Sequence, residues 1–426
     1  MSCNFPGISQ TGEADREPVA QDVVRTLCNK VDANVLQMLD PETLEPIGLA
    51  RQGILHPDLT GPLSSAHAMF DPVTGDAFNY NLAFEKGQGI YRIFTVSAST
   101  GSTYILATIT SQIAYIHSMF LTEHYLVLCI WNSHFSLGGA GLLWKRNFVD
   151  ALKPLDRSKK ALWYVIDRTP IEHGGRGLIK TLESEPFFSF HTINAYEETK
   201  IMDDGTKQLD IIADLSAYEN LDVLKRFYLE NLMSDSPAAR SFCDPSNVRC
   251  RPSIWRFRLP DINRNPKKPT SPSAADVLFK IEKRNSLELP TINPKTSTRK
   301  HRYAYGVYDT GKSSFVDGIL KFDFETLTTR KWSVFGQTAG EPIFVPNPEA
   351  AEDDDEDNGV LLSVVLDGIG GKSYLLVLDA KNLEEIGRAR MKGPVGFGFH
   401  GTHFPYVGGR KNRKEVMGEG KEDWIG

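Results

Sequence analysis

Histidines in apolar surroundings are the residues of this sequence best suited to chemistry. His67, His117 and His191 have Ala, Ile or Phe neighbours, and His400 and His403 lie in a Gly-Phe run. Burying each imidazole costs desolvation free energy, and one shared metal ion would satisfy several together. In a strand or turn, positions i and i+3 face opposite sides, so at most one of His400 and His403 is expected to reach a common centre. His67, His117, His191 and one of His400 and His403 are therefore the candidate metal ligands.

The type of ligand limits the choice of metal ion but does not identify a single one. Imidazole suits iron, zinc or copper, and the scarcity of cysteine argues against a structural zinc site. Metal-bound imidazoles usually donate their other N–H to a carboxylate. Glu288 and Glu341 lie inside apolar runs, where an unpaired acid is costly, so they are the candidate partners. A zinc hydrolase would need a general base and would leave one histidine unexplained.

The elements that must position these side chains are predicted to be strands. Short β-rich runs, such as residues 89–96 and 361–366, alternate with segments in which an apolar residue precedes Asp and then Thr, Asn or Gly. These turns contain Asp40, Asp71, Asp323 and Asp379 and are predicted to be hairpin tips. The repeat favours an irregular propeller, although a sandwich or barrel gives similar local signals.

Few segments have a helical pattern. Residues 220–232 predict one amphipathic helix and residues 140–152 a weaker second. Residues 263–273 and 349–359 are predicted loops, and the acidic run 353–357 lacks calcium-loop spacing, which favours a solvated loop.

Composition is that of a globular protein without a nucleic-acid footprint. Of 426 residues, 41% are hydrophobic and 24% charged, and 48 Lys and Arg against 54 Asp and Glu give a net charge of −6. No basic stripe is interleaved with aromatics, so nucleic acid is not an expected partner. A monomer is the default expectation.

Cysteine usage and the N-terminus predict a cytoplasmic protein. The five cysteines are scattered without a CxxC motif, and Cys243 and Cys250 are interpreted as two plain thiols. The first residues lack a charged start followed by an apolar run, so no signal peptide is predicted. The apolar stretch 105–131 is interrupted by polar residues, which favours buried strands over a spanning helix.

Six motifs follow one another in a familiar order. They are Ala66-His67 with Asp71, Ile116-His117 with Thr122-Glu123-His124-Tyr125, Phe190-His191 with Asn194, Glu288-Leu289-Pro290, Gly340-Glu341-Pro342, and Phe399-His400-Gly401. This set resembles the carotenoid cleavage oxygenases, a family that includes the retinal pigment epithelium isomerohydrolase and the stilbene-cleaving oxygenases. The match runs from about Asp32 to Pro405.

The resemblance implies an all-β, seven-bladed β-propeller with a few helical insertions over an axial iron site. One Fe²⁺ per chain would be held by His67, His117, His191 and His400. Glu288 would orient His191, Glu341 would orient His400, and Asp32 would orient His117. Asp32 stands where the family usually has Glu, and Ser118 where it commonly has Asp. Tunnel-lining candidates are Phe190, Phe397, Phe399 and Phe404.

The same resemblance predicts the domain organisation. Residues 1–30 are interpreted as an irregular segment, 31–410 as one propeller domain and 411–426 as a tail. Family members usually carry a longer segment before the Asp32 region, which predicts a propeller incomplete at its N-terminus.

The function implied is iron-dependent cleavage of a conjugated C=C bond with O2, giving aldehyde or ketone products. Stilbenoid-cleaving members resemble this chain but tend to have Lys where Val31 stands, which favours a carotenoid or apocarotenoid. The alternatives are a stilbenoid-cleaving dioxygenase and a catalytically impaired propeller that binds apolar ligands. Residues 138–146 are a candidate patch for peripheral contact with a membrane or lipid droplet.

Overall fold

The computed structural model describes residues 2–18, 24, 26–233, 236–242, 244, 248–263, 272–313, 315–351 and 355–403. Within these ranges the chain is all-β, with 27 strands in six sheets of four or five strands each. The sheets are named sheet 1 to sheet 6 in chain order and are arranged as the blades of a propeller. Neighbouring strands pair antiparallel except for one parallel pair in sheet 3.

The first three sheets contain the N-terminal half of the strands and one later strand. Sheet 1 comprises β1 (Ser2–Cys3), β2 (Leu27–Lys30), β3 (Leu36–Leu39) and β4 (Pro46–Ala50). Sheet 2 comprises β5 (Leu63–Ser64), β6 (Met69–Phe70), β7 (Ala77–Glu85), β8 (Gln88–Val96) and β9 (Thr103–Ser111). Sheet 3 comprises β10 (Phe120–Leu121), β11 (Tyr125–Ile130), β12 (Ala161–Asp167), β13 (Leu178–Ser184) and β17 (Ser273–Ala274).

The remaining strands form three more sheets. Sheet 4 comprises β14 (Phe188–Ile201), β15 (Lys207–Tyr218), β16 (Ser253–Leu259) and β18 (Asp276–Lys280). Sheet 5 comprises β19 (Glu288–Thr291), β20 (Tyr303–Tyr308), β21 (Gly318–Asp323) and β22 (Thr328–Trp332). Sheet 6 comprises β23 (Gln337–Ala339), β24 (Ile343–Pro346), β25 (Gly359–Asp367), β26 (Lys372–Asp379) and β27 (Glu385–Arg390).

The prediction of seven blades is wrong, because the strands of the described residues form six. Three short strands of the described residues join larger sheets and form no sheet of their own. β6 and β24 add a second short strand beside β7 and β25, and β17 joins the edge of sheet 3 by pairing with β13.

The predicted Asp turns are confirmed as hairpin tips. Asp40, Asp71, Asp323 and Asp379 each accept hydrogen bonds from backbone N–H groups two and three residues later. The residue four positions after each Asp has a positive φ. These tips therefore share one local conformation, in which the carboxylate caps the turn.

The helices are shorter than predicted. The four α-helices are α1 (Gly141–Lys145), α2 (Asp222–Lys225), α3 (Leu229–Leu232) and α4 (Pro237–Phe242). Short 3-10 helices span Gln52–Ile54, Ser136–Gly139, Ile171–His173, Lys283–Asn285 and Pro294–Thr296. The single helix predicted for residues 220–232 is wrong, because Tyr228 has an extended backbone that separates α2 from α3. The helix predicted from residue 140 ends early, at the left-handed Arg146.

Two further predictions can be compared with this fold. The acidic run is not wholly solvated, since Asp357 is buried with its carboxylate 2.5 Å from Nζ of Lys321. Cys250 is a free, buried thiol, and Cys243 lies outside the described residues. Among the helices of the described chain, none has the length and apolarity needed to span a bilayer.

The largest hydrophobic core joins sheets 2, 3 and 4. Between sheets 3 and 4, the rings of Trp163, Phe187, Trp255 and Phe257 contact one another with centroids 4.8–6.0 Å apart. Such aromatic contacts hold neighbouring blades face to face, which fixes the ends of their first strands relative to one another.

Candidate metal centre

The four candidate ligands come from four separate segments of the chain and meet at one point. His67 lies between β5 and β6, His117 precedes β10, His191 lies within β14, and His400 follows β27. Each therefore belongs to the beginning of its sheet or to the segment that follows the last one. One ligand nitrogen from each of the four lies within 4.8 Å of the others. His403, which is exposed, is not part of this cluster.

The imidazole rings are packed closely enough to share one ion. The ring centroid of His67 is 4.7 Å from that of His117, 4.8 Å from that of His191 and 4.5 Å from that of His400. Nε2 of His67 lies 3.2 Å from Nε2 of His400. Burial, followed by the proximity of the other three imidazoles, holds the pKa of His67 well below its usual range. The neutral imidazole this favours is the form that binds metals.

His191 shows how a strand irregularity aims a ligand. The pairing of β14 with β15 shifts register between Ser189 and Thr192, so His191 stands in a bulge. A bulge re-aims a side chain out of the regular alternation of the strand. The hydroxyl of Ser118 donates to the carbonyl of Phe190 and accepts from the N–H of Thr192, which ties this bulge to the His117 segment.

The pairing of His191 with Glu288 is short and buried. Nδ1 of His191 lies 2.6 Å from Oε2 of Glu288, and both side chains are 9% exposed. Since a carboxylate accepts, Nδ1 donates and Nε2 keeps its lone pair. Burial lowers the pKa of His191, and the negative charge of Glu288 opposes this shift. The bond therefore selects the tautomer whose Nε2 can coordinate a metal.

The other two imidazoles are oriented in the same way. Nδ1 of His117 lies 2.8 and 2.9 Å from the two carboxylate oxygens of Asp32. Nδ1 of His400 lies 3.1 Å from Oε1 of Glu341, whose Oε2 accepts from Gly401 N–H. The shorter side chain of Asp32 thus bonds His117 directly.

These residues fit a divalent metal ion. The buried Nε2 of His191 has no hydrogen-bond partner among the described residues, which is costly for an isolated ring nitrogen but expected of a ligand atom. Three of the imidazoles have Nδ1 on a carboxylate, so Nε2 is left for coordination. Four neutral nitrogen donors suit iron, copper or zinc better than calcium or magnesium.

A mostly apolar cavity of about 420 Å³ adjoins the cluster. His117, His191 and His400 form part of its wall. The other lining side chains are largely aromatic or aliphatic and include Tyr115, Phe148, Phe190, Tyr218, Val223, Leu224, Phe227, Leu289, Val307, Phe315 and Phe399. α2 and the segment after α1 supply one side, so helical insertions do border the site. The cavity can hold an elongated apolar molecule beside the imidazoles.

The proposed tunnel residues have different positions. Phe190 and Phe399 line the cavity, whereas Phe397 packs behind it with its ring 4.8 Å from those of Phe315 and Phe399. Phe404 lies outside the described residues. Sequence reasoning missed Tyr115 and Tyr218, whose only sequence signal is their apolar, aromatic context.

A family model and several known proteins are similar in sequence to this chain. The family model described as "Retinal pigment epithelial membrane protein" matches residues 21–405. A "Carotenoid dioxygenase" of Neurospora crassa is 41% identical over 397 residues, which cover 90% of this chain and 63% of that protein. A "Torulene dioxygenase" of Fusarium fujikuroi is 41% identical over 422 residues, covering 95% of this chain and 71% of that protein.

Solved structures share the fold. The cobalt-substituted apocarotenoid oxygenase of Synechocystis superposes with a TM-score of 0.66 at 21% identity, covering 91% of this chain and 73% of that one. At this identity the likeness supports the propeller architecture alone.

Proposed function

Since the chain belongs to the carotenoid oxygenase family that includes the retinal pigment epithelial membrane protein, we propose that it is a non-haem iron(II) dioxygenase. Its substrate would be a carotenoid or apocarotenoid, cleaved at a conjugated C=C bond with O2 to give two carbonyl products. The observation that carries this proposal is the four-histidine cluster opening directly into an apolar cavity.

His67, His117, His191 and His400 would hold one iron(II), with Asp32, Glu288 and Glu341 orienting three of the rings. Iron bound there would supply dioxygen activation, the chemistry that protein side chains lack. The protein's contribution is geometric, since His117, His191 and His400 border the apolar cavity in which the double bond would bind. No side chain is required as a general acid or base.

The cavity wall would bind and orient the polyene. Aromatic rings such as Phe190, Phe227 and Phe399 offer flat apolar surfaces and exclude water from the reacting double bond. Atoms balance without a further reductant, because both oxygen atoms of O2 are consumed as one C=C bond becomes two C=O groups.

A carotenoid is favoured over a stilbenoid. Val31 stands where stilbenoid-cleaving enzymes tend to have Lys, and its aliphatic side chain provides no cation for a phenol oxygen. The names of the Neurospora and Fusarium relatives refer to carotenoid and torulene cleavage. The stilbenoid remains the second candidate, and a ligand-binding propeller without turnover the third.

The test combines metal content with product analysis. Purified protein loaded anaerobically with iron(II) is expected to retain about one iron per chain and to cleave a polyene only when O2 is admitted. His191→Ala should lose both properties, while the control His173→Ala, at an exposed site outside the cluster, should keep them. Iron binding without any O2-dependent product from carotenoids or stilbenoids would contradict the oxygenase and favour the ligand-binding role.

We also propose that the protein takes its substrate from a membrane or lipid droplet, acting as a cytoplasmic monomer in peripheral contact with it. Leu143 and Trp144 of α1 are 82% and 87% exposed, and Lys145 and Arg146 follow them. The same segment continues into Phe148, which lines the cavity. An exposed apolar patch with adjacent cations is typical of interfacial binding.

Vesicle sedimentation tests this contact. Trp144→Ser should reduce the fraction bound to phosphatidylcholine vesicles containing phosphatidylserine several-fold, since an indole is the most exposed part of the patch. The matched control is Phe335→Ser, another exposed aromatic (79%) located in the segment between β22 and β23. Equal binding by both variants would contradict the assigned surface.

A further inference from the structure

Two tyrosines that line the apolar cavity have hydroxyl groups that are hydrogen-bonded to carboxylates. Tyr115 is 7% exposed and Tyr218 is 2% exposed. A buried phenol needs a hydrogen-bond partner. In both cases the partner is a carboxylate that also bonds a histidine of the cluster.

Tyr115 supports the pairing of Asp32 with His117. Its hydroxyl oxygen lies 3.0 Å from Oδ2 of Asp32 and 3.0 Å from Nδ1 of His117. Because Nδ1 donates its own proton to Asp32, the phenol proton must also go to that carboxylate. Within the described chain, the Asp32 carboxylate has one further donor, the N–H of Ala66 at 3.2 Å.

Tyr218 does the same for the pairing of Glu288 with His191. Oε2 of Glu288 accepts from Nδ1 of His191 and from its neighbour Leu289 N–H, each at 2.6 Å. Oε1 accepts from the Tyr218 hydroxyl at 3.1 Å, its one donor among the described residues. Without that bond, Oε1 would be a buried acceptor beside an apolar cavity, and the carboxylate could rotate.

The third pair of a carboxylate and a histidine differs from the other two. Glu341 and His400 are 14% and 29% exposed, and the second oxygen of Glu341 accepts from a backbone N–H. No tyrosine takes part there within the described residues. Among the described residues, a tyrosine hydroxyl therefore contacts the carboxylates paired with His117 and His191 but not the one paired with His400.

We propose that Tyr115 and Tyr218 are positioning residues of the metal centre. Each fixes the carboxylate that orients one histidine, and each presents only its ring to the cavity. This inference rests on the metal centre proposed above and extends it to side chains that contact both the substrate space and the ligand network. A bound polyene would therefore pack against the groups that hold two of the ligands in place.

The test measures cobalt(II) binding and the visible absorption of the cobalt(II) protein. Tyr115→Phe and Tyr218→Phe keep the ring and remove only the donor. The control is Tyr305→Phe, a fully buried tyrosine in β20 whose hydroxyl donates to the carbonyl of Ala380, away from the cluster. We expect about 10-fold weaker cobalt binding and altered visible bands in the two site variants, in line with losses at outer partners of metal ligands. The control should match the parent.

The possible results separate the positioning role of the tyrosines from the oxygenase proposal. Site variants that bind cobalt with the affinity and spectrum of Tyr305→Phe would overturn the positioning role, even if all three lose stability equally. A parent that binds cobalt but cleaves no polyene would remove the oxygenase proposal while leaving the positioning role open to this same comparison. A parent that binds no cobalt would overturn both.

Discussion

At the scale of single residues, the three carboxylates that bond the histidines are the side chains, after the histidines themselves, whose removal should most weaken metal binding. Glu288→Gln keeps the shape of the side chain but replaces an anionic acceptor with an amide. The amide accepts more weakly from Nδ1 of His191 and can present its NH2 group instead. We expect metal affinity to fall about 10-fold to 100-fold, measured by competition with a chelator.

A matched variant separates this effect from general damage to a buried acid. Asp317 is also buried, and its carboxylate accepts from Thr310 away from the histidines. Asp317→Asn should lower stability without changing metal affinity. Equal affinity losses in both variants would contradict the orienting role of Glu288.

The histidines could be predicted from sequence because each has apolar neighbours that make an isolated imidazole expensive. Glu288 and Glu341 carried the same signal. Tyr115 and Tyr218 did not, since the sequence has 14 tyrosines and a buried phenol in an apolar strand is ordinary. Their roles depend on which carboxylate the fold brings within 3.1 Å, a non-local fact.

At the scale of elements, the close passage of β20 past β19 positions Glu288. A Cβ on Gly306 would lie 2.4 Å from the carbonyl oxygen of Glu288 and 3.0 Å from Cδ1 of Leu287. Gly306→Ala should therefore separate the two strands, at a cost of about 1–3 kcal/mol in unfolding free energy, and weaken metal binding. Gly387→Ala in β27 is the control, because its Cβ would meet nothing within 4 Å. Chemical denaturation and metal competition on both variants check this.

At the Asp hairpin tips, substitutions at two equivalent positions are expected to change the unfolding free energy in opposite directions. Leu327 has φ +56° and is 47% exposed, whereas Gly75 has the equivalent position with φ +77°. A left-handed conformation costs a side-chain-bearing residue about 1–2 kcal/mol, part of which glycine recovers. Leu327→Gly should raise unfolding free energy by about 0.5–1 kcal/mol, and Gly75→Ala should lower it by about 1 kcal/mol. Shifts of the same sign in both variants would contradict a shared turn conformation.

These turns were predictable because an Asx turn is encoded within five residues. The blade number was not, because it depends on which sheet each short strand joins. β17 follows β13 by about 90 residues and still pairs with it. The helix predicted over residues 220–232 is interrupted at Tyr228, whose backbone is extended, while the ring of the preceding Phe227 contacts Phe190 and Phe399. Such contacts with distant residues are not visible in the local sequence pattern.

At the scale of the whole molecule, buried histidines outside the metal centre should make stability depend on pH. Burial lowers the pKa of His301 to about 4, against the opposing charge of Asp214. The unfolded chain binds a proton near pH 6.5 and the folded chain only near pH 4, so unfolding free energy is fully present above pH 6.5 and falls as the pH drops through this window. The loss from His301 is up to about 3 kcal/mol.

The measurement is the thermal unfolding midpoint of metal-free protein between pH 7 and pH 4.5. In His301→Gln the decline with falling pH should be shallower than in the parent, although His134, whose pKa burial also lowers to about 4, still contributes. A variant with the same slope as the parent would show that His301 is not a source of the acid sensitivity.

The ligands of the histidine cluster also become available at different times during synthesis of the chain. His67 and His400 are 333 residues apart, yet their ring nitrogens meet at 3.2 Å. During synthesis at about 5–20 residues per second, the first ligand emerges from the ribosome tens of seconds before the last. For that interval the early blades expose imidazoles to any divalent ion in the cell, without the fourth donor that completes the site. The complete set of four donors exists only once the last ligand has emerged, so an ion held by the early ligands alone would still be able to exchange until then.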